Sequence, residues 1–188
     1  MQKFVAYDQL AHADRVIQIH GLLVGAIQAM EGAGRTVCDF THAMPWEFTI
    51  DLARQVWDKA RHVDIFVHLL AHVEDAIGVC PEHALQSPDA SAQTSEACVA
   101  GGNRGLDGRT WDALVQLIEL ARNIGDPVME RALDVVLADE ITHVHMRRTW
   151  RRELSAYAPE RLRQALELQQ SRDGSGVLSM RGQSYAVV

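Results

Sequence analysis

The feature that most constrains the fold of this chain is a Glu-x-x-His pair, Glu140 and His143, within the segment LADEITHVHMRRTW at 137–150. Residues three apart lie on one face of a helix, so this carboxylate and this imidazole project together. The pair falls in a long predicted helix that begins after Asp126, a good N-cap residue, with Pro127 in its first turn. We therefore expect one face of this helix to bring a polar pair into the protein interior.

A second segment, WDKARH at 57–62, carries a related pair, in which Lys59 stands three residues before His62 where a glutamate would complete the same motif. A protonated lysine has no lone pair with which to ligate a metal ion. It supplies a positive charge instead, as a metal ion would. The two pairs therefore indicate the helical scaffold of a metal protein in which a metal-binding residue has been replaced.

Hydrophobic spacing and capping residues predict an all-α chain. The stretch 78–92 is rich in Pro, Ser and Asp and is expected to be a crossover loop. Long helices joined by one long crossover are typical of a ferritin-like four-helix bundle, here with extra short helices in a single domain at 1–171 and an extended C-terminal tail at 172–188. The predicted helices cover 14–37, 45–73, 93–104, 110–123, 126–157 and 159–171.

Three segments together resemble an uncharacterised ferritin-like family of domain-of-unknown-function proteins: MPWEFTIDLARQVWDKARH, GLDGRTWDALVQLIELARNIGDP and LADEITHVHMRRTW. The resemblance covers 21–154 and implies a four-helix bundle with a two-metal carboxylate site. It places Gly102 where the third helix of the family has a glutamate, so two of the four expected carboxylates are absent. The other implied site residues are Glu31 on the first helix, Lys59 and His62 on the second, and Glu140 and His143 on the fourth.

Helical phase leads to the same candidate site. A buried carboxylate is costly unless it is paired, so we expect the lysine to meet the glutamates. Burial is expected to raise the pKa of a glutamate and so to suit it to general acid or base chemistry, with the two histidines sharing proton transfer. The residues predicted to converge inside the bundle as catalytic groups are Glu31, Lys59, His62, Glu140 and His143.

Three functions are compatible with these groups. The leading hypothesis is a small-molecule biosynthetic enzyme that uses the pocket for acid–base chemistry without a metal or other cofactor, for example an imine or iminium condensation of the Pictet–Spengler type. The first alternative is an oxygen-dependent oxidoreductase with one iron or manganese ion or with a remodelled two-metal site. The second is a non-enzymatic binding protein. If a metal ion is bound, its predicted ligands are Glu31, His62, Glu140 and His143.

Composition indicates which binding partners and which cellular location to expect for this protein. The net charge of −7 disfavours binding to nucleic acid, and we expect no membrane association because no apolar run approaches the roughly 18–20 residues of a membrane span. No secretory segment is recognisable and the three cysteines lack metal-site spacing, so a cytoplasmic location is predicted. A homodimer is expected, with the tail packed on the bundle or on a second subunit through Val177, Leu178, Met180, Tyr185 and Val187.

Overall fold

The computed structural model describes residues 12–42, 44–80 and 106–167, and the regular structure within these ranges is entirely α-helical. The predicted all-α class is confirmed, and the helix bounds lie within a few residues of the predicted ones. The predicted short helix at 93–104, Gly102 and the tail at 172–188 lie outside the described residues. The helices are α1 (His12–Phe40), α2 (Trp46–His72), α3 (Leu106–Ile124) and α4 (Pro127–Tyr157), and residues 159–167 are also helical.

The helices pack as two hairpins joined along one contact. α1 packs along α2, α3 packs along α4, and α2 also contacts α4. The short connections within each hairpin reverse the chain, so the two helices of a hairpin run antiparallel. A common apolar core lies between them, and its fully buried side chains include Ile19 and Leu23 of α1, Phe66 and Leu69 of α2, Leu117 of α3 and Met129 and Leu133 of α4.

The connection between α3 and α4 uses one residue to end a helix and the next to begin another. Gly125 has a φ of 70°, and its N–H donates to the carbonyl of Arg122, while the N–H of Asp126 donates to the carbonyl of Ala121. This pair of bonds closes a helix through a left-handed residue, which glycine adopts without steric cost. The Asp126 carboxylate then accepts hydrogen bonds from the N–H groups of Val128 and Met129 at the start of α4.

Aromatic and polar contacts hold the first turns of α2 against the last turns of α4. The indole N–H of Trp150 donates to Asp51 at 2.7 Å. The same indole packs edge-on against Phe48, with ring centroids 5.1 Å apart. These contacts fix the register of α2 against α4, and both helices carry candidate site residues.

α1 is the one helix in the described part of the chain that is long and apolar enough, by length and composition, to cross a membrane. The sequence-based expectation that no segment has this property is therefore wrong for α1. Such a helix is weak evidence of a membrane span, because the core helix of a soluble protein has the same composition. Here Val16, Ile19 and Leu23 of α1 lie in the common core with Phe66 and Leu114.

The cap at Asp126 gives a first testable prediction. Asp126→Ala removes two hydrogen bonds to the first turn of α4 and the contact at 2.8 Å with His72 of α2. We expect the free energy of unfolding to fall by about 0.5–2 kcal/mol, measured by urea denaturation. Asp112→Ala, at an exposed position inside α3, is the matched control and should change stability little. Equal effects of the two substitutions would contradict the assigned role of the cap.

Candidate functional site

The centre of the candidate site is a buried ion pair between α2 and α4. Lys59 Nζ donates to Glu140 Oε1 at 2.5 Å, and the two side chains are 8% and 9% exposed. The interior face of each helix thus carries one long charged side chain, and the two side chains have opposite charges and contact each other. The predicted meeting of this lysine with a buried glutamate is confirmed.

Two histidines converge on the same carboxylate. His62 Nδ1 lies 3.4 Å from Glu140 Oε1, and His143 Nδ1 lies 3.3 Å from Glu140 Oε2. The ring centroids are 6.1 Å apart, and both imidazoles are buried. Each carboxylate oxygen of Glu140 therefore faces one histidine, and Oε1 also accepts from Lys59.

The outer nitrogen of each histidine meets an aspartate on the opposite helix. His62 of α2 places Nε2 2.9 Å from Oδ2 of Asp139 on α4. His143 of α4 places Nε2 3.0 Å from Oδ2 of Asp58 on α2. The contacts are reciprocal, since each helix supplies one histidine and the aspartate that holds the other. Both imidazoles are oriented so that Nδ1 points inward at the central carboxylate.

Arginines close the cluster on its outer side. Arg61 Nη2 donates to Asp58 Oδ1 at 3.2 Å and to Asp139 Oδ2, so it bridges the two aspartates. Arg54 Nε lies 3.5 Å from Asp58 Oδ2. The Asp58 side chain is only 2% exposed, whereas 43% of the Arg61 side chain is in contact with solvent. The cluster thus runs from a buried ion pair to a solvated guanidinium.

The protonation of Glu140 follows from its partners and not from its burial. Burial alone would raise the pKa of this carboxyl, but hydrogen bonds from His143 and His62 and the charge of Lys59 hold its pKa well below the usual range. Burial likewise opposes the lowered pKa of Asp139, which His62 and Arg61 hold below its usual value. The expectation of a glutamate with a raised pKa is therefore wrong for Glu140, which is a carboxylate at neutral pH.

Glu31 does not join the other predicted residues. The structure brings together Lys59, His62, Glu140 and His143, but Glu31 lies on an exposed part of α1. In this half of α1 the buried side runs through Ala33 and Thr36. These are small or weakly polar residues, and they did not stand out in the hydrophobic pattern of the sequence. Glu31 is excluded by this geometry from contact with the cluster.

Asp58 and Asp139 were not among the predicted site residues, although the sequence carries a signal for both. Each aspartate directly precedes the residue that starts a motif, so the two segments read Asp-Lys-x-x-His and Asp-Glu-x-x-His. On a helix, residues four apart share a face, which places Asp58 beside His62 and Asp139 beside His143. Each aspartate reaches across to the histidine of the other helix. Repetition of the full five-residue pattern would have revealed the reciprocal arrangement.

The arrangement can hold and move protons. A neutral imidazole donates from only one ring nitrogen, yet each of these histidines has carboxylate oxygens near both. His62 can therefore donate inward to Glu140 or outward to Asp139, and it donates to both only when it is doubly protonated. Because the Asp139 side chain is 13% exposed, the His62 ring connects a position near solvent with the buried carboxylate.

The fold and the site define an all-helical protein with a buried, reciprocally built cluster of ionisable residues between two of its helices. Residues 6–167 match the family described as Protein of unknown function (DUF455). The chain belongs to this family. Among curated proteins and among solved structures, none matches the chain.

The buried ion pair gives a second prediction. Lys59→Met and Glu140→Gln each leave one charged group without its partner in a site less than one-tenth exposed. We expect each single substitution to lower the free energy of unfolding by about 3–5 kcal/mol. The double substitution should be less destabilising than the sum of the two, because it leaves no unpaired charge. Chemical denaturation of the four proteins measures this coupling, and strictly additive losses would show that the two groups do not interact.

The lowered pKa of Glu140 gives a third prediction. A carboxyl whose pKa is lower in the folded than in the unfolded chain stabilises the fold above the unfolded value, about 4.3. That contribution is lost as the pH falls through the folded-state pKa. Urea denaturation from about pH 7 to about pH 3 should show a steeper loss of stability for the native chain than for Glu140→Gln. Glu160→Gln, which changes an exposed carboxylate, should retain the native slope. A native slope in Glu140→Gln would contradict the pKa assignment.

Proposed function

We propose that this chain is a small-molecule enzyme that uses the cluster between α2 and α4 for acid–base chemistry without an essential metal ion. The observation that carries the proposal is the ion pair of Lys59 with Glu140, onto which two histidines point their Nδ1 atoms. Active sites are where ionisable groups are brought together in a water-poor environment to set their protonation. A cluster of eight such side chains across one helix pair is more than a structural ion pair requires. The eight are Arg54, Asp58, Lys59, Arg61, His62, Asp139, Glu140 and His143.

Within this proposal the histidines transfer protons and the aspartates position them. His62 is held by Asp139, and His143 is held by Asp58. A carboxylate on one ring nitrogen fixes the orientation and the tautomer of the imidazole, which suits the other nitrogen to exchange a proton with a substrate. Glu140 then acts as a fixed negative charge and not as the acid, because its pKa is lowered.

The narrower reaction that these groups fit is a condensation through an imine or iminium ion, as in a Pictet–Spengler reaction. An acid protonates the hydroxyl that leaves the carbinolamine as water, and a base removes a ring proton after the new carbon–carbon bond forms. The histidine pair supplies both the acid and the base. Lys59 is assigned to charge balance, because its ammonium is already paired with Glu140. A cytoplasmic location and a small organic substrate belong to the same proposal.

We further propose that the fold is a ferritin-like bundle in which the lysine replaces a metal ion. In metal sites, a histidine ligates through one ring nitrogen and donates from the other to a carboxylate. His62 and His143 have this arrangement, with Nδ1 inward and an aspartate at Nε2. The donor set does not fit two metal ions, since an ammonium is bonded to the central carboxylate and Glu31 lies elsewhere.

The same histidine orientation favours a second candidate function, an oxygen-dependent oxidoreductase with a single iron or manganese ion. The residues that would hold the ion are His62, Glu140 and His143, a two-histidine, one-carboxylate set typical of non-haem iron sites. The ion would supply redox chemistry, and the aspartates would orient its histidine ligands. Among the described residues, no group of three or more His, Cys, Asp or Glu side chains has the arrangement of a metal site. A non-enzymatic binding protein is the third candidate, favoured by the mutual pairing of the charged groups.

Substitution at Lys59 tests the proposed replacement of a metal ion by an ammonium. Lys59→Glu restores the Glu-x-x-His spacing before His62, so we expect it to bind about one iron or manganese ion per chain. Two ions are not expected, because Gly102 supplies no carboxylate. The measurement is elemental analysis of protein purified without chelator, and Lys59→Met controls for loss of the lysine alone. Stoichiometric metal in the native chain, or no gain in Lys59→Glu, would contradict the proposal.

A further inference from the structure

The outward face of α2 carries an apolar stripe opposite the side that holds the cluster. Its members, Trp46, Ile50, Ala53 and Trp57, follow one another at intervals of four, three and four residues, so they lie on one side of the helix. Trp46 is 68% exposed, Ile50 is 48% exposed and Trp57 is 71% exposed. We call these four residues the α2 stripe.

Two largely exposed tryptophans on one helix face are unusual for a surface that meets only water. Contiguous exposed apolar surface marks a site of association, and tryptophan is among the residues that contribute most to protein interfaces. The rest of α2 does not share this character, because Asp64 and His68 further along the same side are charged or polar and largely exposed. The apolar surface is therefore confined to the first half of the helix.

Charged residues flank the α2 stripe, with an acidic residue near its start and basic residues further along. Two antiparallel copies of α2 would therefore bring opposite charges together. Glu47 lies on one flank of the stripe near its start, and Arg54 and Arg61 follow on the same flank after two and four turns. When two copies of α2 are placed antiparallel so that Trp46 of each faces Trp57 of the other, Glu47 falls opposite the interval between the two arginines. The carboxylate of each copy then meets guanidinium groups of the other.

We propose that the α2 stripe is the interface of a two-fold symmetric homodimer. The second copy is the occupant because one antiparallel register satisfies both the tryptophans and the flanking charges, and because a two-fold axis forms each of these contacts twice. A partner of different sequence would have to supply an apolar stripe with the same charge order. A second copy of this chain has that stripe and that charge order because its sequence is the same.

The area of the α2 stripe is compatible with such a dimer. A tryptophan buries roughly 150–250 Å² when it is fully enclosed, so four tryptophans at about 70% exposure contribute about 400–700 Å² in total. Standard interfaces bury about 1,200–2,000 Å². The remainder must come from Ile50, Ala53 and the stems of the flanking arginines, which places this dimer at the lower end of the stable range.

The proposed interface adjoins the cluster directly. Arg54 and Arg61 both ion-pair with Asp58, and Asp58 holds His143. In the dimer, Glu47 of the second copy approaches the solvated sides of these two guanidinium groups. The second copy therefore adds negative charge at the outer rim of the cluster, where Arg54 and Arg61 are the most exposed members.

Trp57→Lys tests the interface in solution. We expect the native chain to sediment as a dimer, and Trp57→Lys to raise the dissociation constant at least about tenfold. Ile124→Lys replaces an apolar residue that is 44% exposed at the end of α3. It lies beside the α3–α4 connection, which contacts the far end of α2 at His72, so this control should leave the dissociation constant unchanged. Both positions are exposed, so both variants should fold, which circular dichroism checks. A native chain that is monomeric at all concentrations, or a Trp57→Lys dimer of native stability, overturns the proposal.

A charge exchange tests the antiparallel register. Glu47→Lys and Arg54→Glu should each weaken their own homodimer, because like charges then meet twice across the two-fold axis. Mixing the two variants should restore association, since lysine then faces glutamate at one contact and glutamate faces arginine at the other. Mixed variants that associate no better than either one alone exclude this register.

Discussion

The ion pair of Lys59 and Glu140 determines what the surrounding residues can be. A carboxylate that is less than one-tenth exposed costs several kcal/mol unless positive charge and hydrogen bonds surround it. Lys59 supplies the charge, and the two histidines supply the remaining hydrogen bonds to both oxygens. The outer nitrogen of each histidine then lies against a second carboxylate, Asp139 for His62 and Asp58 for His143. Each buried polar group in the cluster thus has the next one as its partner, and the series begins at the carboxylate of Glu140.

These contacts also depend on the register of α2 against α4. Each of α2 and α4 supplies a histidine to the centre and an aspartate to the other helix, so a shift of one residue would rotate the side chains by about 100° and break every contact. The register is fixed at one side of the cluster by Trp150 with Asp51 and Phe48. At the start of α4 it is fixed by Asp126, which His72 of α2 contacts. Local helix capping and aromatic packing therefore position the chemistry.

Much of this could be predicted from sequence, and the failures have physical reasons. Gly125, Asp126 and Pro127 specify a helix end and a helix start through backbone conformation alone, so the bounds of α4 were predictable. The pairing of Lys59 with Glu140 was also predictable, because buried charges need partners. The placement of Glu31 was not, since the buried side of this half of α1 carries the small residues Ala33 and Thr36, and hydrophobicity does not identify that side. The pKa of Glu140 was misjudged because burial and partner charges act in opposite directions, and only the distances show which effect is larger.

The proposed function depends on a lysine ammonium, and not a metal ion, neutralising the buried Glu140 carboxylate. Heteronuclear NMR of isotopically labelled lysine observes this ammonium directly, because a buried, hydrogen-bonded ammonium exchanges its protons slowly with water. We predict one protected ammonium signal at neutral pH that is absent in Lys59→Met and that persists when ferrous iron or manganese is added in excess. Loss of the signal upon metal addition, with binding of the ion at Glu140, would contradict the account.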